Sequence, residues 1–351
     1  MQPMYRIVAD SRDITALIND RLLMLRTSDK PGMESDEFEL RIDDRDQAVA
    51  LPSRGAKVDI YMGYAGEVLA KLGRYTVDEV EFSGPPDTLT IRGKASDMRG
   101  TGKTTRSGSW ENVPLQQIVT EVAKRNGWEP ICPVQTKVPR VDQLNESDFN
   151  FITRVASKHD CTAKLADGKL LVMPRQGGQS ASGKVLPSIT VRRQDVSRYQ
   201  FRLGDKTTNK AVQTKHQDKK TGALQVVDIA NPDAPSTLPP VHTDRHIYPN
   251  KTAAEQAAMA RLAAFNRSTA GVRLDMAGRT DLFAERTIIA QGFKVGLDGE
   301  YLVDSVEQTF TPSGWTTSIE CNGGKQGKAK AKGKKKKETK PLKTVELSPT
   351  A

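Results

Sequence analysis

At 351 residues the chain is long enough for two or three domains, but only 36% of it is hydrophobic and 5% aromatic. No stretch approaches the roughly eighteen apolar residues of a membrane helix, no secretory apolar segment follows Met1, and Cys132, Cys161 and Cys321 form neither a C-x-x-C pair nor a disulfide framework, so a soluble protein made in a reducing cytoplasm is expected. The net charge of +10 is local: residues 325–351 hold ten lysines against two glutamates, and the remainder balances 43 basic against 41 acidic residues.

Residues 1–98 alternate apolar and polar positions over Tyr5–Ala9, Leu22–Arg26, Phe38–Ile42, Val58–Met62, Tyr75–Phe82 and Leu89–Arg92, with turn residues between them. That period predicts a first β-domain, a small antiparallel barrel or sandwich, assigned here as a β-barrel. Residues 99–175 change period. Leu115, Ile118, Val119, Val122 and Ala123 make a helical stripe, with Asn112 as a candidate cap and Pro114 in the first turn. A second helix is expected after Asn145, with Phe149, Ile152, Val155 and Ala156 on its buried face, followed by a hairpin turning at Asp167-Gly168. This predicts an α+β unit. Residues 176–183 have linker composition, and 184–324 predict a second β-barrel with strands at Ile189–Val191, Tyr199–Leu203, Thr287–Phe293, Tyr301–Phe310 and Trp315–Cys321. Within it Asn231–Pro249, with five prolines, reads as a long loop, and Thr252-Ala253-Ala254-Glu255 as a capping box for a helix to Arg267. The lysine-rich 325–351 is expected to be disordered. The expected class is α+β and mainly β: two similar barrels, an intervening α+β unit and a basic tail.

The similarity of the barrels rests on one pattern met twice. Gly73, Tyr75, Val77, Asp78, Val80 and Glu81 recur in the same spacing as Gly299, Tyr301, Val303, Asp304, Val306 and Glu307. Each copy continues through a Phe and a Gly/Pro turn into a Thr-rich strand, which makes duplication of one β-domain the better reading.

Motifs for chemistry fail on context. Gly102-Lys103-Thr104 lacks the earlier glycine of a phosphate loop and leads into Ser-Gly-Ser-Trp instead of a helix. His242 and His246 are spaced to share a helix face but lie among prolines, and His159 beside Cys161 has no third partner. No carboxylate pair stands out. No catalytic, cofactor-binding or metal-ligating residue is assigned, no cofactor is expected, and the chain is expected not to be an enzyme.

Glu146-Ser147-Asp148-Phe149-Asn150-Phe151-Ile152-Thr153-Arg154-Val155-Ala156, followed by a strand and Gly168-Lys169-Leu170, resembles the phage late control gene D proteins. These are baseplate hubs of contractile-tailed phages and R-type pyocins, and the same run marks the hub portion of VgrG proteins in type VI secretion. Trp110-Glu111-Asn112-Val113-Pro114-Leu115 matches the family's helix entry, and Gly299–Glu307 with Trp315-Thr316-Thr317 matches its terminal strands, with Gln308 where His is commoner. The resemblance covers about residues 1–324. It makes Trp110, Leu115, Glu146, Ser147, Asp148, Phe149, Phe151, Arg154, Gly168, Tyr75, Val77, Tyr301, Val303 and Trp315 structural signature residues.

The resemblance implies a homotrimeric ring in the virion tail baseplate or a pyocin-like particle, assembled in the host bacterial cytoplasm. Its implied partners are the tail tube protein, the central spike protein and, among further baseplate components, the tape-measure protein. Two other classes stay open at this point: a tail-tip cell-wall hydrolase, and a nucleic-acid-binding protein acting through 325–351, the one segment whose charge suits DNA contact.

Overall fold

The computed structural model describes residues 2–33, 36–95, 101–166, 168–178, 180, 184–204, 208–218, 221–235 and 240–330. The first part runs β1 (Pro3–Ala9), β2 (Arg12–Asp13), α1 (Thr15–Ile18), β3 (Leu22–Asp29), β4 (Glu37–Asp43), β5 (Lys57–Tyr64), β6 (Ala70–Ser83) and β7 (Thr88–Lys94). Alternation sets the inside of this unit. In β4, Phe38, Leu40 and Ile42 point into a core shared with Ile7, Leu25, Ile60 and Leu89, while Glu39 and Arg41 face out.

The middle part comprises β8 (Thr105–Pro114), α2 (Leu115–Arg125), β9 (Glu129–Ile131), β10 (Lys137–Ser147), α3 (Asp148–Lys158), β11 (Cys161–Ala166) and β12 (Lys169–Pro174). The stripes of α2 and α3 close a second core over the β8–β10 ribbon and the β11–β12 hairpin. Asn112 does not cap α2. The chain is still strand up to Pro114, and the Leu115 amide donates to the Thr136 carbonyl at 2.8 Å instead. Gly168 sits at φ +75° in the hairpin turn, and Asp167 lies outside the described residues.

The last part runs β13 (Ile189–Arg192), β14 (Val196–Leu203), β15 (Ala211–Gln217), β16 (Leu224–Ala230), β17 (Val241–Tyr248), α4 (Lys251–Arg267), β18 (Ala270–Ala277), β19 (Thr287–Gln291), β20 (Gly299–Thr311) and β21 (Gly314–Asn322). Val272, Leu274, Met276, Tyr301, Val303 and Ile319 form its core. Two expectations are corrected here. The segment Asn231–Pro249 is not one long loop, because β17 lies between Pro240 and Pro249, where no proline interrupts its pairing with β15. The cap of α4 is Asn250, whose side chain accepts the Ala253 amide at 2.9 Å; Thr252 already lies inside the helix. Strands β15–β17 and α4 thus make a small α/β insert between β14 and β18, packed through Val212, Ala258 and Leu262.

The first and last parts are not separate sheets. They share a 13-stranded sheet in the order β14-β18-β21-β20-β3-β4-β7-β6-β5-β1-β2, with β19 on β20 and β13 on β19. The chain is α+β and mainly β, two similar β units joined edge to edge.

Candidate assembly surfaces

The signature run lies at the entry to α3. Ser147 caps the helix, its hydroxyl accepting the Asn150 amide at 3.3 Å. Asp148 behind it is fully buried and saturated. Its carboxylate accepts from Arg125 Nε at 3.0 Å, Asn126 Nδ2 at 2.7 Å and Gln143 Nε2 at 2.9 Å, with a further bond from Arg125 Nη2. Glu146 takes Arg154 at 2.6 Å, and that guanidinium lies over the Phe151 ring at 5.5 Å. Phe151 stacks on Trp110 at 4.9 Å and Phe149 on Trp128 at 5.3 Å, while Trp110 Nε1 donates to Glu121 at 2.6 Å. With Leu115 buried beneath them, these groups lock α3 to the ribbon and leave the Asp148 carboxylate no free lone pair to serve as a base.

The repeated pattern is a repeated geometry. In β6, residues up to Thr76 pair with β5, Tyr75 opposite Val58; from Thr76 on the strand pairs with β7, and a bulge skips Asp78 between Val77 and Glu79. In β20, Tyr301 stands opposite Ile288 of β19; pairing passes to β21 at Leu302, and a bulge skips Asp304 between Val303 and Ser305. Val77 exchanges bonds with Gly55 and Ala56 at 2.7 and 3.0 Å, and Val303 with Glu285 and Arg286 at 2.9 and 2.8 Å. Even the bulges of the flanking strands agree, Leu22/Met24 in β3 and Val196/Arg198 in β14.

The pattern's residues follow from this geometry. Tyr75 and Tyr301 are both buried, and a Cβ on Gly73 would lie 2.6 Å from the Tyr75 hydroxyl. Gly299 sits at φ +127°, where L side chains are strained. The match stops at the far edge: β1 runs antiparallel to β5, whereas β13 runs parallel to β19.

Two polar joints, the first half-buried and the second buried, were not legible in the sequence. Lys164 of β11 reaches Asp29 at 2.5 Å and Asp36 at 2.8 Å, tying the middle part to the β3–β4 turn, and Asp29 also accepts the Ala284 amide at 2.8 Å. Burial, helped by the Asp29 charge and opposed by Lys164, raises Asp36 to about 7. In the last unit, Trp315 Nε1 and Thr317 donate to Gln308 Oε1 at 2.9 and 2.6 Å, and Gln308 Nε2 donates to the Arg279 carbonyl at 2.8 Å.

The residues weighed for chemistry are dispersed. Burial raises the Cys161 thiol to about 12 and lowers His159, so the two do not form a thiolate–imidazolium pair. His242 packs on Phe265 and His246 on Tyr248. Among the described residues no group of three or more His, Cys, Asp or Glu is placed to hold a metal ion, and no helix is long and apolar enough to cross a membrane. Residues 325–330, assigned to the tail by composition, are held on the body: Lys325 N donates to Gln176 at 2.8 Å and Lys328 N to Thr269 at 2.7 Å. The expectation of disorder beyond them falls on 331–351, outside the described residues.

Residues 33–314 match the family model of the phage tail baseplate hub (GPD). A probable baseplate hub protein of Escherichia phage P2 is 33% identical, the alignment covering 91% of this chain and 93% of that protein. The 43 kDa tail protein of prophage MuSo2 from Shewanella oneidensis has a similar fold, with a TM-score of 0.69 at 15% identity over 91% of this chain and 98% of its own. A Francisella PdpA–VgrG complex is a more distant match, TM-score 0.52 at 8% identity, covering 97% of this chain and 60% of that one.

Proposed function

The chain belongs to the phage tail baseplate hub family, and on that premise we propose that it is a symmetry adaptor: three copies close into a ring between a sixfold tail tube and a threefold central spike. The observation that carries this is the equivalence of the two β units from β3, β4, β7, β6 and β5 to β14, β18, β21, β20 and β19, with matching bulges at Asp78 and Asp304. Two such units per copy and three copies per ring set six similar units round one channel. A sixfold tube protein meets one unit per subunit on one face. The middle part and the α/β insert, present once per copy, give the other face its threefold character for the spike. The tape-measure protein and further baseplate proteins are proposed to meet the same ring.

The division that goes with this reading is 1–98 and 184–324 for the two β units, 99–175 for the α+β unit, 176–183 for a linker and 325–351 for a basic tail, with DNA contact confined to that tail. Charge supports passage of cargo through the ring. On the polar face of the first unit, Arg92 bridges Glu39, Glu79 and Glu81 at 3.7, 3.0 and 2.9 Å, and Arg26 holds Glu39 at 3.0 Å, so that face neutralises itself. A channel lined this way conducts a polyanion without gripping it. We propose assembly in the host cytoplasm and a purely structural role.

Native mass spectrometry of the full chain tests the ring: three copies are expected, and two or six would end the reading. Peptidoglycan hydrolysis abolished by one carboxylate or serine substitution would end the structural role.

A further inference from the structure

The two β units are equivalent in backbone but not in charge. Val77 and Val303 hold the same place, and through the ladders beside them Gly93 matches Cys321 and Phe38 matches Val272. On the polar face this register sets Gly271 where the first unit has Glu37, Arg273 where it has Glu39, and Arg202 where it has Ser28. Each unit has a hollow over these positions, of 540 Å³ in the first and 610 Å³ in the second. Among the described residues the first is bounded by five carboxylates and four cations, the second by Asp304 and Glu320 against Arg175, Arg202, Arg267 and Arg273.

The arginines of the second hollow are under-compensated. Arg202 stands opposite Gly271, and a Cβ there would lie 3.8 Å from its Nη2, so the guanidinium lies across the glycine into the hollow. Its side chain has no ion pair among the described residues. Arg273 meets the carboxylates of Asp275 and Glu320 at 3.5 and 3.6 Å, beyond ordinary hydrogen-bond length. Arg267 is 6% exposed, and its Nη1 is buried without a partner. Asp160 accepts from its Nη2 at 2.6 Å but is shared with Lys325 at 3.5 Å. One carboxylate therefore faces two cations where water screens them weakly.

We infer that this hollow takes the carboxylate side chains of an acidic protein segment lying in the channel. The inference rests on the ring reading for the channel and for three symmetric copies of the hollow, while the hollow itself belongs to one chain. Arginine forks match carboxylates in two parallel bonds. A space of 610 Å³ is in the range that encloses a ligand of several groups, so it suits a short run of side chains better than a single ion.

A protein segment fits this wall better than DNA does. A phosphate chain following the wall meets Asp304 and Glu320, and then the five carboxylates of the first hollow. Acidic side chains on a protein enter one hollow and pass over the next. Alternating hollows thus lay a threefold pattern of charge on a sixfold backbone, and a partner with threefold symmetry matches that pattern.

The test titrates the full chain with a synthetic peptide of six glutamates around a central benzoylphenylalanine, photolyses it and locates the adducts by peptide mass spectrometry. The expected result is saturable labelling of β14, β18 or β21, absent with the glutamine analogue. Arg202→Gln combined with Arg273→Gln is expected to raise the half-saturating concentration at least tenfold. Gly271→Glu, which gives the second hollow the carboxylate that Glu37 gives the first, is expected to do the same, and Arg92→Gln in the first hollow to leave it unchanged. Labelling confined to the first hollow or to 325–351, or labelling that neither second-hollow variant weakens, overturns the site. Displacement of the peptide by a twelve-residue oligothymidylate at equal charge concentration marks a phosphate site and overturns the protein occupant. Labelling at the second hollow in a chain whose native mass is not that of three copies upholds the site and overturns the ring.

Discussion

Asp78 and Asp304 hold the same place in the two units, each passed over by the pairing between a buried Val and the next residue of the strand. The bulge bends the strand where it leaves one neighbour and takes up another, β5 for β7 in the first unit and β19 for β21 in the second. The doubled spacing in the sequence is therefore the spacing of this turn of the sheet, and the aspartate needs to be an extra residue more than it needs to be acidic.

Asp304→Ala is accordingly expected to cost less than about 1 kcal/mol, since among the described residues its side chain takes one exposed hydrogen bond, from Asn322 at 3.3 Å. Deleting Asp304 is expected to abolish folding. A one-residue slip moves Val306, Gln308 and Phe310 from the inner face to the outer one. Soluble yield and urea unfolding of the two variants check this, and a folded deletion variant would remove the bulge from the account.

Gln308 is the next test. It satisfies Trp315, Thr317 and the Arg279 carbonyl inside the second unit. Gln308→Leu fits the space but leaves those groups buried without partners, an expected loss of about 2–4 kcal/mol by urea unfolding. Gln308→His supplies an acceptor and a donor on one ring, and is expected to retain more than half of that stability.

The parts that repeat were the parts that could be read. Alternation and the Gly-x-Tyr-x-Val-Asp spacing marked β6 and β20 because burial on one face is a local rule. The strands β8, β10, β15 and β16 escaped, since Ser107-Gly108-Ser109 and Gln213-Thr214-Lys215 carry little apolar contrast and owe their strand state to their partners. The joining of both units into one sheet was equally hidden: it is settled by β20 meeting β3 some 280 residues earlier in the chain. Lys164 with Asp29 and Asp36 had no signal at all, because three charges far apart in sequence announce nothing until the fold collects them.

Truncation separates the docked start of the tail from the rest. Removing 331–351 is expected to leave the thermal midpoint unchanged, because a run so rich in lysine and poor in apolar residues has little to bury. Removing 325–351 also takes away the bonds of Lys325 to Gln176 and Asn266 and of Lys328 to Thr269, and a loss of about 1–3 kcal/mol is expected. Equal midpoints for the two truncations would show that those contacts contribute nothing. Any DNA binding lost with 331–351 should fall steeply with salt in the full chain.

The Asp36 joint gives a pH dependence whose sign is fixed. Burial raises this carboxyl from 3.8 to about 7, Asp29 adding to the rise and Lys164 opposing it. Between those two values the folded chain keeps a proton that the unfolded chain has released, so the group's contribution is fully present below the lower value and is lost as pH rises through the upper one. Asp36→Asn is neutral throughout and escapes that loss, while Lys164 keeps its bond to Asp29 at 2.5 Å. The difference in thermal midpoint between the variant and the wild type is therefore expected to shift in favour of the variant as pH rises from about 4 towards about 7, and then to level off. Melting curves of both proteins across that range decide the matter. A difference that does not vary with pH would mean that Asp36 titrates in the folded protein as it does in the unfolded chain.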